Sequence, residues 1–211
     1  MHFSAFLLTI AAAISISASD WVELEFDDVP KSSTIFEKSC ISISVEESAS
    51  PLVRIFPSPK AIRGFEVTGS VSDYETWALD ADDALLRVGV IELGETRLNR
   101  LQKLTAPDWL KRLDELVGKT GGGVSSIRCF NLAPEAGWIG RTRTNPNASL
   151  FEETVQAAPD ENGNFKILVE FDSSVQSPGL WLLADGDDSG SSFRNSNRQH
   201  LCDRVKQQPH L

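Results

Sequence analysis

Between Phe165 and Phe171 the chain reads FKILVEF. Phe165, Ile167, Val169 and Phe171 alternate with Lys166, Leu168 and Glu170. Successive side chains of a strand point to opposite faces, so a period of two predicts a half-buried β-strand and excludes a helix there. Ile41, Ile43 and Val45 alternate with Ser42 and Ser44 in the same way, as do the residues of WVELEF, Trp21 to Phe26. Further strand-like runs are Leu52 to Phe56, Ile62 to Val71, Leu85 to Leu93, Ser126 to Leu132 and Leu180 to Ala184. The last is apolar at every position, which predicts a central strand covered on both faces. Turn-forming clusters separate the runs, among them DENGN (Asp160 to Asn164) and SPG (Ser177 to Gly179). Seven to eight short strands at this spacing predict an all-β fold, a β-sandwich of jelly-roll type.

One segment departs from the period of two. TAPDWLKRLDELVGK, Thr105 to Lys119, places Trp109, Leu110, Leu113, Leu116 and Val117 on one stripe of a helix. Thr105 is suited to cap it, Pro107 and Asp108 to fill its first turn, and Gly118 to end it. The sequence predicts one short amphipathic helix over about 105–118, packed on an end or face of the sandwich. The Gly121 to Gly123 triplet that follows precedes neither a Lys-Ser/Thr pair nor a helix. It reads as a connector and not a phosphate loop.

The ends read differently from the middle. MHFSAFLLTIAAAISISAS has an apolar stretch from Phe3 to Ile16, then Ser17-Ala18-Ser19 before Asp20, the pattern of a cleaved export signal without its usual positive n-region. Three parts are expected: a signal peptide at 1–19, a β-sandwich at 20–198 and a polar tail at 199–211. Taking the 19-residue leader from 211 residues leaves about 190, enough for a single domain with a full core. The expected compartment is the periplasm or the exterior. The net charge of −10 disfavours nucleic acid and an anionic membrane surface. No membrane insertion is expected once the signal is removed. Cys40, Cys129 and Cys202 allow one disulfide with one thiol left over, and spacing does not choose the pair.

Histidine stands only at His2, His200 and His210, which argues against a histidine-activated nucleophile. A carboxylate pair for glycoside hydrolysis would need one acid in an apolar pocket. Glu23, Glu25 and Asp27 instead share the outer face of a strand whose Val22, Leu24 and Phe26 turn inward. No catalytic residue is assigned. In DGDDSGSSF, Asp185, Asp187 and Ser189 followed by Gly190 match the first half of a calcium loop. The twelfth position is Ser196 where such a loop needs a bidentate Glu, so it is not an EF-hand. An irregular calcium site at a sandwich edge would draw further carboxylates from Asp80, Asp82 and Asp83. The alternative is an Asp/Ser/Gly turn bonded to its own backbone.

In the basic island GRTRTNPNAS, Gly140 to Ser149, Arg141 and Arg143 share a face when the segment is extended. They are suited to grip an anionic ligand or to pair with the protein's own acid. Trp138 and Trp77 lie in loop-like surroundings and are candidates to stack on a sugar ring. Asn147-Ala148-Ser149 is a glycosylation sequon, relevant in a eukaryotic host.

SASPLVRIF (Ser48 to Phe56) leading into GFEVTGSV, DDALLRVGVIELG (Asp82 to Gly94) and LWLLADGDDSGSSF (Leu180 to Phe193) together resemble a family of exported bacterial proteins of unknown function. Its members have a carbohydrate-binding-like, galactose-binding-like jelly-roll β-sandwich. The resemblance spans about half of the mature chain and brings no catalytic residues with it. It implies that the acidic turns belong to a shared design. The expected function is a secreted or periplasmic non-catalytic binding module for a carbohydrate or similar polar ligand, with calcium as a candidate stabiliser. The alternatives are a carboxylate-based glycan hydrolase or lyase, and a structural envelope protein that binds other proteins.

Overall fold

A computed structural model of the chain describes residues 18–37, 40–74, 84–95, 97–144, 149–187, 192–193 and 202–204. The strands are β1 (Val22–Glu23), β2 (Ser33–Phe36), β3 (Ile41–Glu46), β4 (Leu52–Ser70), β5 (Ala84–Gly94), β6 (Gly123–Leu132), β7 (Thr142–Thr144), β8 (Phe151–Ala157), β9 (Asn164–Asp185), β10 (Ser192–Phe193) and β11 (Cys202–Arg204). Two helices, α1 (Arg100–Thr105) and α2 (Asp108–Gly118), lie between β5 and β6. The described residues form a mostly β structure around a large mixed sheet of order β1-β4-β9-β5-β6-β8-β7, with β11 also on β4. A second sheet has the order β10-β3-β2. Among the described residues every strand pairing is antiparallel except β6 with β8, where Ile127 stands opposite Phe151 and Phe130 opposite Thr154.

The period of two seen in the sequence becomes two cores. In β9, Leu180, Leu182 and Ala184 enter one cluster and Trp181 and Leu183 the other. This stretch is buried on both faces because β9 runs between β4 and β5. The first core joins those side chains to Phe65, Val67, Val88, Val90, Phe130 and the three apolar residues of β3, Ile41, Ile43 and Val45. The second joins the opposite face to Trp109, Leu113, Leu116 and Val117 of α2 and to Leu24 and Ala49 near the N-terminal end. Trp109 meets Phe26, Phe151 and Trp181 at ring centroids of 5.7, 5.8 and 6.0 Å, so one helix side chain ties three segments together.

The helical segment differs from its sequence reading. Thr105 ends α1 instead of capping α2, and its hydroxyl donates to the Gln102 carbonyl at 3.4 Å. The cause is Pro107, which forces the preceding Ala106 to φ −67°, ψ 143° and so breaks the run into two helices. α1 lies almost wholly before the predicted span. Its capping box is closed by Asn99 and Gln102: the Gln102 N–H donates to Asn99 Oδ1 at 2.9 Å, and the Asn99 N–H to Gln102 Oε1 at 2.9 Å.

At the DENGN turn the Asn162 and Asn164 N–H groups donate to Asp160 Oδ1 at 2.8 and 2.9 Å. Gly163 has φ +78°, and a Cβ there would collide with the Val71 carbonyl oxygen. Only glycine fits that turn.

Candidate functional site

Two polar features lie on the α2 side of the large sheet. The first is a charged row across five adjacent strands, β9-β5-β6-β8-β7. Arg87 interrupts the apolar run of β5 and shares a face with Ile91, in the core beneath α2. Register sets Arg87 opposite Asn131 of β6. The parallel β8 brings Glu153 opposite Cys129, and β7 sets Arg143 opposite Glu153. Asp185 closes β9. Arg87 Nη1 donates to Asp185 Oδ2, and Arg87 Nε stands 3.4 Å from Glu153 Oε2. The same Glu153 oxygen accepts from Asn131 Nδ2 at 2.8 Å and from Arg143 Nε and Nη2 at 3.3 and 3.1 Å.

The side chains of Arg87, Glu153 and Asp185 are 5, 2 and 7% exposed. Charges so buried are tolerated only when matched, and here two guanidiniums face two carboxylates. Among the described residues the matching leaves Arg87 Nε and Nη2, Asn131 Oδ1 and Asp185 Oδ1 buried without a hydrogen-bond partner. Cys129 lies fully buried beside this row. Burial first, and the Glu153 charge second, push its thiol well above the usual range despite Arg87. Its proton is therefore held at neutral pH and the sulfur is a poor nucleophile.

The second feature is an open cleft of about 350 Å³ between α1, α2 and the start of β6. Arg97, Gln102, Asp114, Ser125 and Ser149 supply its polar lining, and Leu98, Leu110, Val124 and Leu150 its apolar lining. Asp114 organises it. Its carboxylate accepts from Arg97 Nη2 at 3.0 Å, from the Leu98 N–H at 3.0 Å and from Lys103 Nζ at 3.1 Å. Burial opposes charge on this group, whose side chain is 3% exposed. The bonds from Arg97, Leu98 and Lys103 outweigh that penalty and hold its pKa below the ordinary 3.8. Arg97 lies flat against the end of α2, where a Cβ on Gly118 would run into its guanidinium. Its Nη2 also donates to the Asp114 carbonyl at 3.1 Å, a favourable place for a cation near a helix C-terminus. Ser125 and Asn131 are six residues apart on β6, about 20 Å along the strand, whereas Leu150 of the cleft and Glu153 of the row are three residues apart, about 10 Å.

The predicted site residues are distributed unevenly. Asp185, expected as a calcium ligand, is tied to Arg87, and Arg143, expected at a ligand, is tied to Glu153. Two residues assigned to separate sites thus belong to one charged row. Asp187 is half-buried in the turn after β9. Trp138 belongs to a 3-10 turn, Ala136–Trp138, and is only 8% exposed, which leaves little of its ring to stack on a sugar. Arg141 is exposed, and its backbone bonds Trp138 and Val155. Asp80, Asp82, Asp83, Ser189 and Trp77 lie outside the described residues. Among the described residues no three His, Cys, Asp or Glu side chains converge. Asp185 Oδ1 keeps a lone pair free for a cation or another donor, although the carboxylate is already neutralised by Arg87. Cys40 and Cys129 are both buried, and the Cys40 thiol donates to Glu37 Oε2 at 3.4 Å.

Sequence patterns alone miss Arg87, Glu153, Arg97 and Asp114. Two of them carry a signal: Arg87 stands inside the apolar run LLRVGVIEL, and Asp114 falls four residues after Leu110 within the apolar stripe of α2. A charge in such a position needs a partner. In comparisons with known proteins, the chain matches no family model, no curated protein and no solved structure.

Proposed function

We propose that this chain is an exported, non-catalytic binding module for a small polar ligand of carbohydrate type, held in the cleft between α1, α2 and β6. The observation that carries this reading is the lining of that cleft. Its volume of about 350 Å³ falls at the lower end of the roughly 300–1,000 Å³ usual for small-molecule sites. Arg97, Gln102, Ser125 and Ser149 offer donors and acceptors to hydroxyl or carboxylate groups, while Leu98, Leu110, Val124 and Leu150 face the carbon skeleton. Among the described residues the lining contains a single carboxylate, Asp114, already committed to Arg97 and Lys103, whereas glycoside hydrolysis uses two. That favours binding over turnover. Arg97 is 44% exposed and retains donors beyond its bond to Asp114, which suits a uronic acid better than a neutral sugar.

The jelly-roll relationship belongs with this reading. Two sheets enclosing one apolar core support it, and the parallel β6–β8 pair departs from a wholly antiparallel jelly roll. Calcium at the acidic turn would have Asp187 as its described candidate ligand, because Asp185 is already neutralised by Arg87.

Isothermal titration of the mature chain against neutral sugars and uronic acids tests the proposal. Binding of a uronic acid, weakened roughly tenfold or more in Arg97→Gln, is the expected result. No heat from any member of the panel, or equal affinity in Arg97→Gln, would overturn it.

A further inference from the structure

α1 is amphipathic in the reverse sense. None of its residues is buried, yet it carries two leucines, Leu101 and Leu104, each 75% exposed. At 100° per residue these two lie close together on the helix, and Gln102 and Lys103 lie on the opposite side. The contacts agree: Gln102 lines the cleft and Lys103 reaches Asp114, so the polar side faces the protein. The apolar side faces outward and is presented by a helix already fixed by its capping box and by Asp114.

The surrounding charge is also reversed. From Arg97 to Lys119 six cations stand against three carboxylates, in a chain whose net charge is −10. Arg100 sits beside Leu101 and Leu104 on the exposed side of α1, while Arg97 and Lys103, about half-exposed, turn to Asp114.

We propose that α1 is a docking point for an anionic lipid surface, with Leu101 and Leu104 entering the headgroup boundary and Arg100 beside them meeting a lipid phosphate. Two leucine side chains are far short of the roughly 800 Å² per partner of a specific protein interface. They suit interfacial lipid binding, where a few apolar side chains act together with flanking cations. The net charge opposes approach to such a surface, but screening over about 8 Å at physiological salt leaves the local basic segment dominant once it is presented. The acidic remainder then orients the molecule with α1 toward the lipid. This reading does not depend on a ligand in the cleft, because Leu101 and Leu104 face away from it.

Co-sedimentation of the mature chain with vesicles tests it. The chain is expected to bind phosphatidylcholine vesicles containing phosphatidylglycerol, to bind pure phosphatidylcholine weakly, and to be released by salt. The double variant Leu101→Ser/Leu104→Ser, checked for an unchanged melting temperature, is expected to lose about a hundredfold in partitioning. Arg100→Glu is expected to lose about tenfold. Three results would overturn the proposal: no binding of the unaltered chain to the mixed vesicles at low salt, equal binding by the serine variant, or a concentration-dependent dimer abolished by the serine substitutions. The last would assign the face to a second copy of the chain.

Discussion

Arg87 and Asp185 stand 98 residues apart in the chain and form an ion pair in which both side chains are more than nine-tenths buried. Arg87 also faces Glu153, so the guanidinium is the link between the end of β9 and the start of β8. Removing it leaves Asp185 buried without its match, while Glu153 keeps only Arg143 and Asn131. Arg87→Ala is expected to lower stability by about 3–5 kcal/mol in urea denaturation. Replacing the pair with apolar residues, as in Arg87→Met/Asp185→Leu, should recover part of that loss, since the uncompensated charge is removed along with its partner. A double variant as unstable as Arg87→Ala alone would show that packing, and not charge matching, is what Arg87 contributes.

The same pair bears on the acidic turn. Asp185 is neutralised by Arg87 without a metal, so protein stripped with chelator is expected to melt at nearly the same temperature as protein with calcium. A filled site at a hundred times its dissociation constant would add about 2.7 kcal/mol. A calcium-specific rise of roughly 5–10 °C, absent with magnesium and lost in Asp187→Ala, would instead make the turn a cation site.

Much of the strand content is legible in the sequence because burial on one face imposes a period of two, and FKILVEF is buried at Phe165, Ile167 and Val169 and exposed at Lys166, Leu168 and Glu170. The apolar stripe of α2 is legible for the same kind of reason. Pairing is not. The parallel alignment of β6 with β8 and the neighbourhood of Arg87, Glu153 and Asp185 are set by contacts between distant segments, on which local patterns are silent. Alternation alone groups Arg141 with Arg143 on one strand face. The structure separates them: Arg143 is held by Glu153, and Arg141 is exposed. α1 leaves no such trace, because a six-residue helix with outward leucines has no inward apolar stripe to detect.

Gly163 offers a test of turn geometry alone. Its φ of +78° and the approach of the Val71 carbonyl oxygen to the place a Cβ would occupy leave no room for a side chain. Gly163→Ala is expected to cost about 1–3 kcal/mol through backbone strain, read as a lower urea midpoint with an unchanged slope. A neutral result would mean that the turn relaxes into another form.

Asp114 links the cleft to pH. Its pKa is ordinary, 3.8, in the unfolded chain and lower in the folded one, because Arg97, the Leu98 N–H and Lys103 outweigh the penalty of burial. A carboxyl with a depressed folded pKa binds its proton more readily when the chain is unfolded. Its stabilising contribution is therefore complete above about pH 4 and disappears as pH falls through the folded pKa. Arg97 and Lys103 are 44 and 40% exposed, so solvent screens their part of the effect. Asp114→Asn is expected to cost about 1–2 kcal/mol at pH 7. Because α1 is joined to α2 through this group, the amides of residues 97–105 should exchange faster in Asp114→Asn while those of β9 do not change. Melting curves between pH 6 and pH 3 should then converge: the unaltered chain loses its advantage below about pH 4, and Asp114→Asn, with no proton to take up at that position, falls less steeply. Parallel curves across the whole range would remove Asp114 as the group that holds α1 in place.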